Sequence, residues 1–257
     1  MAVLRFFYQW LIVMPVMLVI TILAALTTII GCFLGDHRVW GYYPGLIWSR
    51  LFCIVSLVRV EVRGREKLDR STSYVFVANH QGAYDIFLVY GYLGHKFKWM
   101  MKSSLRRIPF VGAACAAAGF IFVDRSGKGL RETLSAAEKI LTRGMSLVVF
   151  PEGSRTPDGR MHRFKKGAYQ IADDLSLPVV PMTIDGSYRV LSKNSKLIRP
   201  GKITLTLHEP VYPGADGHYD MEQLIDETFR ALPSVLPQEG GITYKIQSRI
   251  KNLCQII

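Results

Sequence analysis

Cysteine is scarce and scattered in this chain. The four thiols, at Cys32, Cys53, Cys115 and Cys254, show no Cys-x-x-Cys or Cys/His spacing, so metal-ribbon and redox motifs are excluded. They read as small buried hydrophobes of a reduced compartment. Neither glycine fingerprint occurs, which disfavours P-loop and dinucleotide enzymes. A Gly-x-Ser-x-Gly elbow is missing too, so nothing marks a serine hydrolase. Acidic side chains are in short supply: 20 Asp plus Glu face 32 Lys plus Arg, leaving a net charge of +12. Such a balance calls for an anionic partner. Without zinc-finger spacing, an aromatic–basic RNA signature or a block of like charge, nucleic acid is disfavoured. A phospholipid surface or an acidic protein fits better.

Charge is also absent from Phe6 to Gly35, a run longer than the roughly 20 apolar residues that cross a bilayer core. It is too long for a cleavable leader, and no small-x-small cleavage site follows it cleanly. A second apolar stretch, Tyr42 to Val58, carries Pro44 and Arg50. It is expected to return as an interfacial helix, with Trp40, Tyr42, Tyr43 and Trp48 at headgroup depth. Residues 1–60 are thus read as a two-helix hydrophobic membrane anchor.

Beyond residue 60 the composition changes to short strands alternating with amphipathic helices, the pattern of an α/β domain whose sheet is flanked by helices. Strands are expected near 73–79, 97–101, 120–124, 146–151, 178–184 and 202–208, and helices over 84–92, 109–118, 127–143 and 166–174. This domain is set at 61–215. A helical extension follows at 216–257, with a helix over 220–232. At its end Ile242, Ile246, Ile250, Leu253 and Ile257 recur at helical spacing opposite Lys245, Arg249 and Lys251, as a terminal packing helix or an interfacial one would have them.

Four stretches carry the chemistry. Asn79-His-Gln-Gly-Ala-Tyr-Asp85 follows a β-branched and aromatic strand and precedes an apolar helix, a strand-to-helix turn of the kind where α/β folds place their sites. There Asp85 can hold one nitrogen of His80 as N–H and leave the other as a general base. Gly119-Phe-Ile-Phe-Val-Asp-Arg125 delivers Arg125 at the carboxyl end of a strand, and Phe150-Pro-Glu-Gly-Ser-Arg155 puts Glu152 and Arg155 on a loop after another. Val180-Pro181 lies in a Pro-marked strand that reads as an edge or a binding-site wall. An Arg closing a strand is ordinarily a solvated cap, and Pro-Glu-Gly an ordinary turn. Basic groups collected at loop ends nonetheless suit a phosphate, which arginine holds bidentately.

In this order the four stretches resemble the motifs of the PlsC-like glycerolipid acyltransferases, the family of 1-acylglycerol-3-phosphate acyltransferases. Asn79, His80 and Asp85 match Asn-His-x-x-x-x-Asp, and Gly119, Phe120 (shifted one place) and Arg125 match Gly-x-Phe-x-x-x-Arg. Phe150 to Arg155 match Phe-Pro-Glu-Gly-Thr/Ser-Arg in full, and Val180-Pro181 the Val-Pro pair. Lys102, and Phe164 to Gly167, match a lysine and a Phe-Lys-Lys-Gly segment of similar enzymes. The resemblance covers roughly residues 60 to 210. Gly82 and Ser104 stand where the family often has Ser and Glu, which bears on donor or acceptor preference.

The resemblance implies transfer of an acyl group from a thioester to the sn-2 hydroxyl of 1-acylglycerol 3-phosphate (lysophosphatidic acid), making phosphatidic acid. His80 would be the base and Asp85 its orienter. Lys102, Arg125, Glu152, Gly153 and Arg155 would bind substrate, with Arg125, Glu152 and Arg155 positioning the acceptor's glycerol phosphate and Lys102 adding positive field. Backbone amides near the first motif are expected at the oxyanion. No metal or resident cofactor is implied; acyl-CoA or an acidic acyl carrier protein would be co-substrate. The expected place is a bacterial inner membrane, with the α/β domain on the cytoplasmic side. The first alternative is an acyltransferase for another lysolipid acceptor; a membrane-bound lipid esterase and a silent lipid-binding module are the more distant rival readings.

Overall fold

A computed structural model describes residues 2–123, 130–141 and 144–235 of the chain. It opens with α1 (Ala2–Tyr8), a π-helical turn over Gln9–Val13 and α2 (Met14–Leu34). Pro15 stands in the first turn of α2, directly after the π-helical turn, and has no N–H to give to the helix before it. Apolar side chains surround most of the helix, and Thr21, Thr27 and Thr28 turn their hydroxyls back to carbonyls four residues earlier, so few polar groups face outward. Val3–Leu34 is long and apolar enough to cross a membrane. Asp36 caps the short α3 (His37–Trp40), accepting from Arg38 N at 2.7 Å. Trp40 then folds back over Gly31, where an added Cβ would lie 2.3 Å from its ring.

The second helix, α4 (Tyr43–Val55), packs on α5 (Tyr84–Tyr92). Only its outer side stays apolar and exposed, at Ile47, Leu51 and Ile54. The expected headgroup belt is therefore corrected in part. Tyr42 is buried and donates its hydroxyl to His95 O, because the aromatic cluster of Tyr90 and Phe97 offers it a drier site. Trp48 packs on Phe52 and Phe87 and donates to Thr21 Oγ1 at 2.9 Å. Trp40 and Tyr43 keep substantial exposure.

Seven strands follow: β1 (Val58–Arg63), β2 (Val75–Ala78), β3 (Phe97–Lys102), β4 (Ile121–Val123), β5 (Ser146–Val149), β6 (Val179–Asp185) and β7 (Gly201–Leu207). They form one mixed sheet in the order β1-β7-β6-β2-β5-β3-β4, parallel at every pair except β6 with β7. The remaining helices are α6 (Val111–Ala117), α7 (Leu130–Ile140), α8 (Gly167–Asp174), α9 (Ser187–Leu191) and α10 (Met221–Ala231).

β2 is the centre, buried on both faces as a helix-covered parallel strand must be. Phe76 and Ala78 face one core with Cys53, Leu88 and Val89 of α4 and α5. Val75 and Val77 face the other, with Ala137, Ile171 and Leu224 of α7, α8 and α10. Each large side chain buried this way stabilises the fold by about 1.5–3 kcal/mol. β1 falls across the expected division at residue 60, and α10 shares the second core. Both therefore belong with the sheet. The expected helix over 242–257 lies outside the described residues.

Candidate active site

The turn after β2 is held by side chains that replace the strand's lost ladder. Asn79 donates Nδ2 to Ile184 O and accepts from Ile184 N, both at 2.8 Å, tying the end of β2 to β6. His80 then stands beyond the carboxyl end of the central strand, its ring stacked on Phe150 with centroids 4.0 Å apart. Asp85, fully buried in the first turn of α5, takes three donors on Oδ2: His80 Nδ1 at 2.7 Å, Gln81 N at 2.7 Å and Gly82 N at 3.0 Å. Oδ1 is buried without a hydrogen-bond partner. The carboxylate thus fixes the imidazole with Nδ1 engaged and Nε2 left for the cavity that His80 lines.

That cavity, about 610 Å³, opens at the carboxyl ends of β2, β3 and β5. Trp99, Met101, Val149, Phe150 and Ile171 give it apolar walls, and Lys102, Arg155, Lys165 and Lys193 give it positive charge. Of the residues expected at the site, His80, Lys102, Gly153 and Arg155 line it, with Asp85 directly behind. Gly153 has φ +73°, and Lys165 Nζ would lie 3.2 Å from a Cβ there. Arg125 lies outside the described residues; β4 leads toward it, and Val123 lines the cavity.

Glu152 is placed differently from the expectation of a substrate ligand. It is buried, and its Oε1 accepts from His80 N at 2.7 Å while Oε2 accepts from His162 N at 2.9 Å. It braces the catalytic turn against the loop after β5. Burial pushes its pKa from the ordinary 4.5 up to about 7, against the lowering effect of the two N–H bonds. The backbone amides of the first motif are engaged within the protein. His80 N goes to Glu152, Gln81 N and Gly82 N go to Asp85, and Ala83 N goes to Leu191 O at 3.1 Å. These amides are spent on shaping the turn.

Lys193 was not foreseen. It sits in the polar loop Ser192-Lys-Asn-Ser-Lys196, and no spacing in the sequence links it to the other motifs. The fold brings it in because Ser192 bridges Gly82 and because the following backbone is clamped by Gln9. Gln9 Nε2 donates to Lys196 O, and Gln9 Oε1 accepts from Ile198 N, both at 2.8 Å.

A histidine oriented by a buried aspartate thus opens into a pocket that is both apolar and cationic, at the carboxyl ends of the strands of an α/β fold. Residues 59–185 match the family described as Acyltransferase. The chain is 29% identical over 242 residues to a 1-acyl-sn-glycerol-3-phosphate acyltransferase of Chlamydomonas reinhardtii, covering 93% of this chain and 70% of that protein. It is 30% identical over 179 residues to a chloroplastic 1-acyl-sn-glycerol-3-phosphate acyltransferase of Brassica napus, covering 68% of this chain and 52% of the relative. The chain thus spans about half the length of that relative. The crystal structure of the 1-acyl-sn-glycerophosphate (LPA) acyltransferase PlsC from Thermotoga maritima superposes with a TM-score of 0.74 at 28% identity, covering 90% of this chain and 92% of that one. The chain belongs to the PlsC-like acyltransferase family.

Proposed function

We propose that the protein transfers a fatty acyl group from acyl-CoA or acyl carrier protein to the sn-2 hydroxyl of 1-acylglycerol 3-phosphate, giving phosphatidic acid. The observation that carries this reading is the His80–Asp85 pair, whose free Nε2 faces a cavity with apolar walls and four cations. The acceptor's phosphate suits Arg155 and the neighbouring lysines, and its chain suits the apolar side. His80 Nε2 takes the hydroxyl proton as the oxygen attacks the thioester carbonyl. The carbon–sulfur bond then breaks, and the departing thiolate receives the proton from the imidazolium. Asp85 stabilises that imidazolium at 2.7 Å without itself taking the proton. A thioester is already activated, so no acyl-enzyme is needed. Cys115 stands apart from the cavity lining, and burial pushes its thiol up to about 11. The reading places the enzyme at a bacterial inner membrane with the α/β domain on the cytoplasmic side, where thioester donors are found.

The test is full-length protein in bilayers, offered a panel of lysolipid acceptors with both donor types. Expected is phosphatidic acid formed only when donor and acceptor are both present. His80→Ala should lower the rate by about 10²- to 10⁴-fold while leaving the fold intact. Free fatty acid released from a lipid ester without acceptor would replace this reading by the esterase. Binding of lysolipid with no transfer would replace it by the silent module.

A further inference from the structure

The chain exposes every residue from Lys102 to Phe110, and within that run three large apolar side chains face outward: Leu105, Ile108 and Phe110. Solvation alone does not account for this, because the segment is tightly built. Ser103–Arg107 is a 3₁₀ turn, Ile108 N donates to Leu105 O, and Gly112 N donates to Ile108 O at 2.8 Å. Gly112 lies so close beneath the segment that a Cβ there would sit 2.1 Å from Arg106 O. At its tip, Val111 N donates to Pro109 O at 2.6 Å across Phe110, which has φ +59° and ψ −53°. That is a γ-turn of the rare positive-φ form, strained for any residue with a Cβ. Packing holds a phenylalanine in a conformation it disfavours, with its ring half exposed. Strain kept in this way points to a use for the exposed ring.

Position and charge say what covers it. Leu105 is also a wall of the active-site cavity, so the segment forms the cavity's lip. α6, which continues from it, packs against α2, so the lip is joined to the apolar outer surface of the N-terminal helices. Arg106 and Arg107 stand beside the three apolar side chains. An apolar tip beside cations suits the boundary between acyl chains and anionic headgroups.

We propose that residues 103–110 are a second membrane-contact surface, seated in the interface of an anionic phospholipid leaflet at the mouth of the cavity. The lysolipid then passes from the bilayer into the cavity along this lip without crossing water. Contact with the leaflet stands on the surface itself, whereas the passage of an acceptor rests on the function proposed above.

The experiment uses full-length protein in lipid nanodiscs of phosphatidylcholine with or without phosphatidylglycerol. A genetically encoded fluorescent amino acid at position 108 should be quenched by nitroxide carried on lipid acyl chains, and more strongly when phosphatidylglycerol is present. A paired Ile108→Ser and Phe110→Ser change should raise the KM for a long-chain lysolipid acceptor in the bilayer several-fold. The kcat for a short-chain, water-soluble acceptor should stay as in the wild type. Arg107→Gln should remove most of the phosphatidylglycerol effect on quenching. A probe unquenched by lipid nitroxide overturns the proposal. So does one shielded only when an acidic carrier protein is added, which gives this face to a protein partner. Equal loss toward both acceptors shows a structural role and also overturns it. Quenching needs no turnover, so quenching without acyl transfer would count against the proposed reaction and leave the membrane contact standing.

Discussion

At the scale of single residues, two buried carboxylates meet the same turn and do opposite work. Asp85 gathers a ring N–H and two backbone N–H groups on one oxygen. Glu152 spreads its two oxygens over backbone N–H groups from two loops. In Asp85→Asn the amide would have to place its NH₂ either against those donors or at the Oδ1 position, which has no acceptor. It also loses the charge that stabilises the imidazolium, so kcat should fall by about 10²-fold or more, and the buried NH₂ without an acceptor should lower the melting temperature as well. Glu152 predicts a pH effect on stability. Its folded pKa of about 7 exceeds the ordinary 4.5. Between those values the folded state keeps the proton and the unfolded state has lost it, so stability falls as pH rises through that window and levels off above it. Melting curves of detergent-solubilised protein from pH 4.5 to 8 should show that decline. Glu152→Gln should be less stable, because its NH₂ faces a backbone donor, and should lose most of the decline. A variant with the wild-type slope would show that another group titrates.

At the scale of elements, the catalytic turn is shaped by what lies behind it. A Cβ on Gly82 would meet Ser187 O at 2.5 Å and Leu191 O at 3.0 Å, so the turn and α9 touch backbone to backbone. Gly82→Ser should force α9 away. It should cost about 1–3 kcal/mol as an overpacking change, seen as a lower melting temperature together with a reduced kcat. How much of this was legible in the sequence follows from what each stretch signals. The motif loops and the inner strands were, because β-branched runs bounded by turn residues mark parallel strands and because His80 and Asp85 fall on either side of one turn. β1 was not: Val58-Arg-Val-Glu-Val-Arg63 alternates as an edge strand does, but it adjoins an apolar stretch and reads as its end. Pro181 signalled an edge or a binding-site wall, and of these the edge is excluded, since β6 lies inside the sheet. The proline fits because it stands at a bulge, where residues 208–210 oppose only two residues of β6 between the Val179–Val211 bridge and the Met182–Leu207 pair; its carbonyl still accepts from His208 N at 3.0 Å. The brace by Glu152 and the arrival of Lys193 depend on partners 72 residues away and on a clamp from the other end of the chain. No local pattern encodes either.

At the scale of the molecule, the N-terminal helices are more than an anchor. Length and apolarity allow Val3–Leu34 to cross a bilayer, but its contacts run along most of its length. Tyr8 donates its hydroxyl to Val55 O, Gln9 clamps Lys196 and Ile198, Thr21 accepts from Trp48, and Gly31 receives Trp40. Beyond its end, His37 Nδ1 approaches Ala117 O at 3.3 Å. One stripe of the helix is therefore committed to the protein, and the rest of its circumference is apolar and exposed. Gln9 separates anchoring from this structural role. It lies in a π-helical turn, a distortion common at functional positions, and its buried amide satisfies two backbone groups of the loop that carries Lys193 into the cavity. Gln9→Leu raises the apolarity of the helix, so recovery in the membrane fraction should be undiminished. It leaves Lys196 O and Ile198 N without that partner, at a cost of about 1–3 kcal/mol. The expected outcome is a lower melting temperature in detergent and a raised acceptor KM through the displaced Lys193, with the donor KM close to wild type. Gln9→Glu keeps the acceptor for Ile198 N and loses the donor to Lys196 O, so it should fall between the two. If Gln9→Leu melted and turned over like the wild type, the helix would be an anchor only, and the clamp would have no part in holding the cavity.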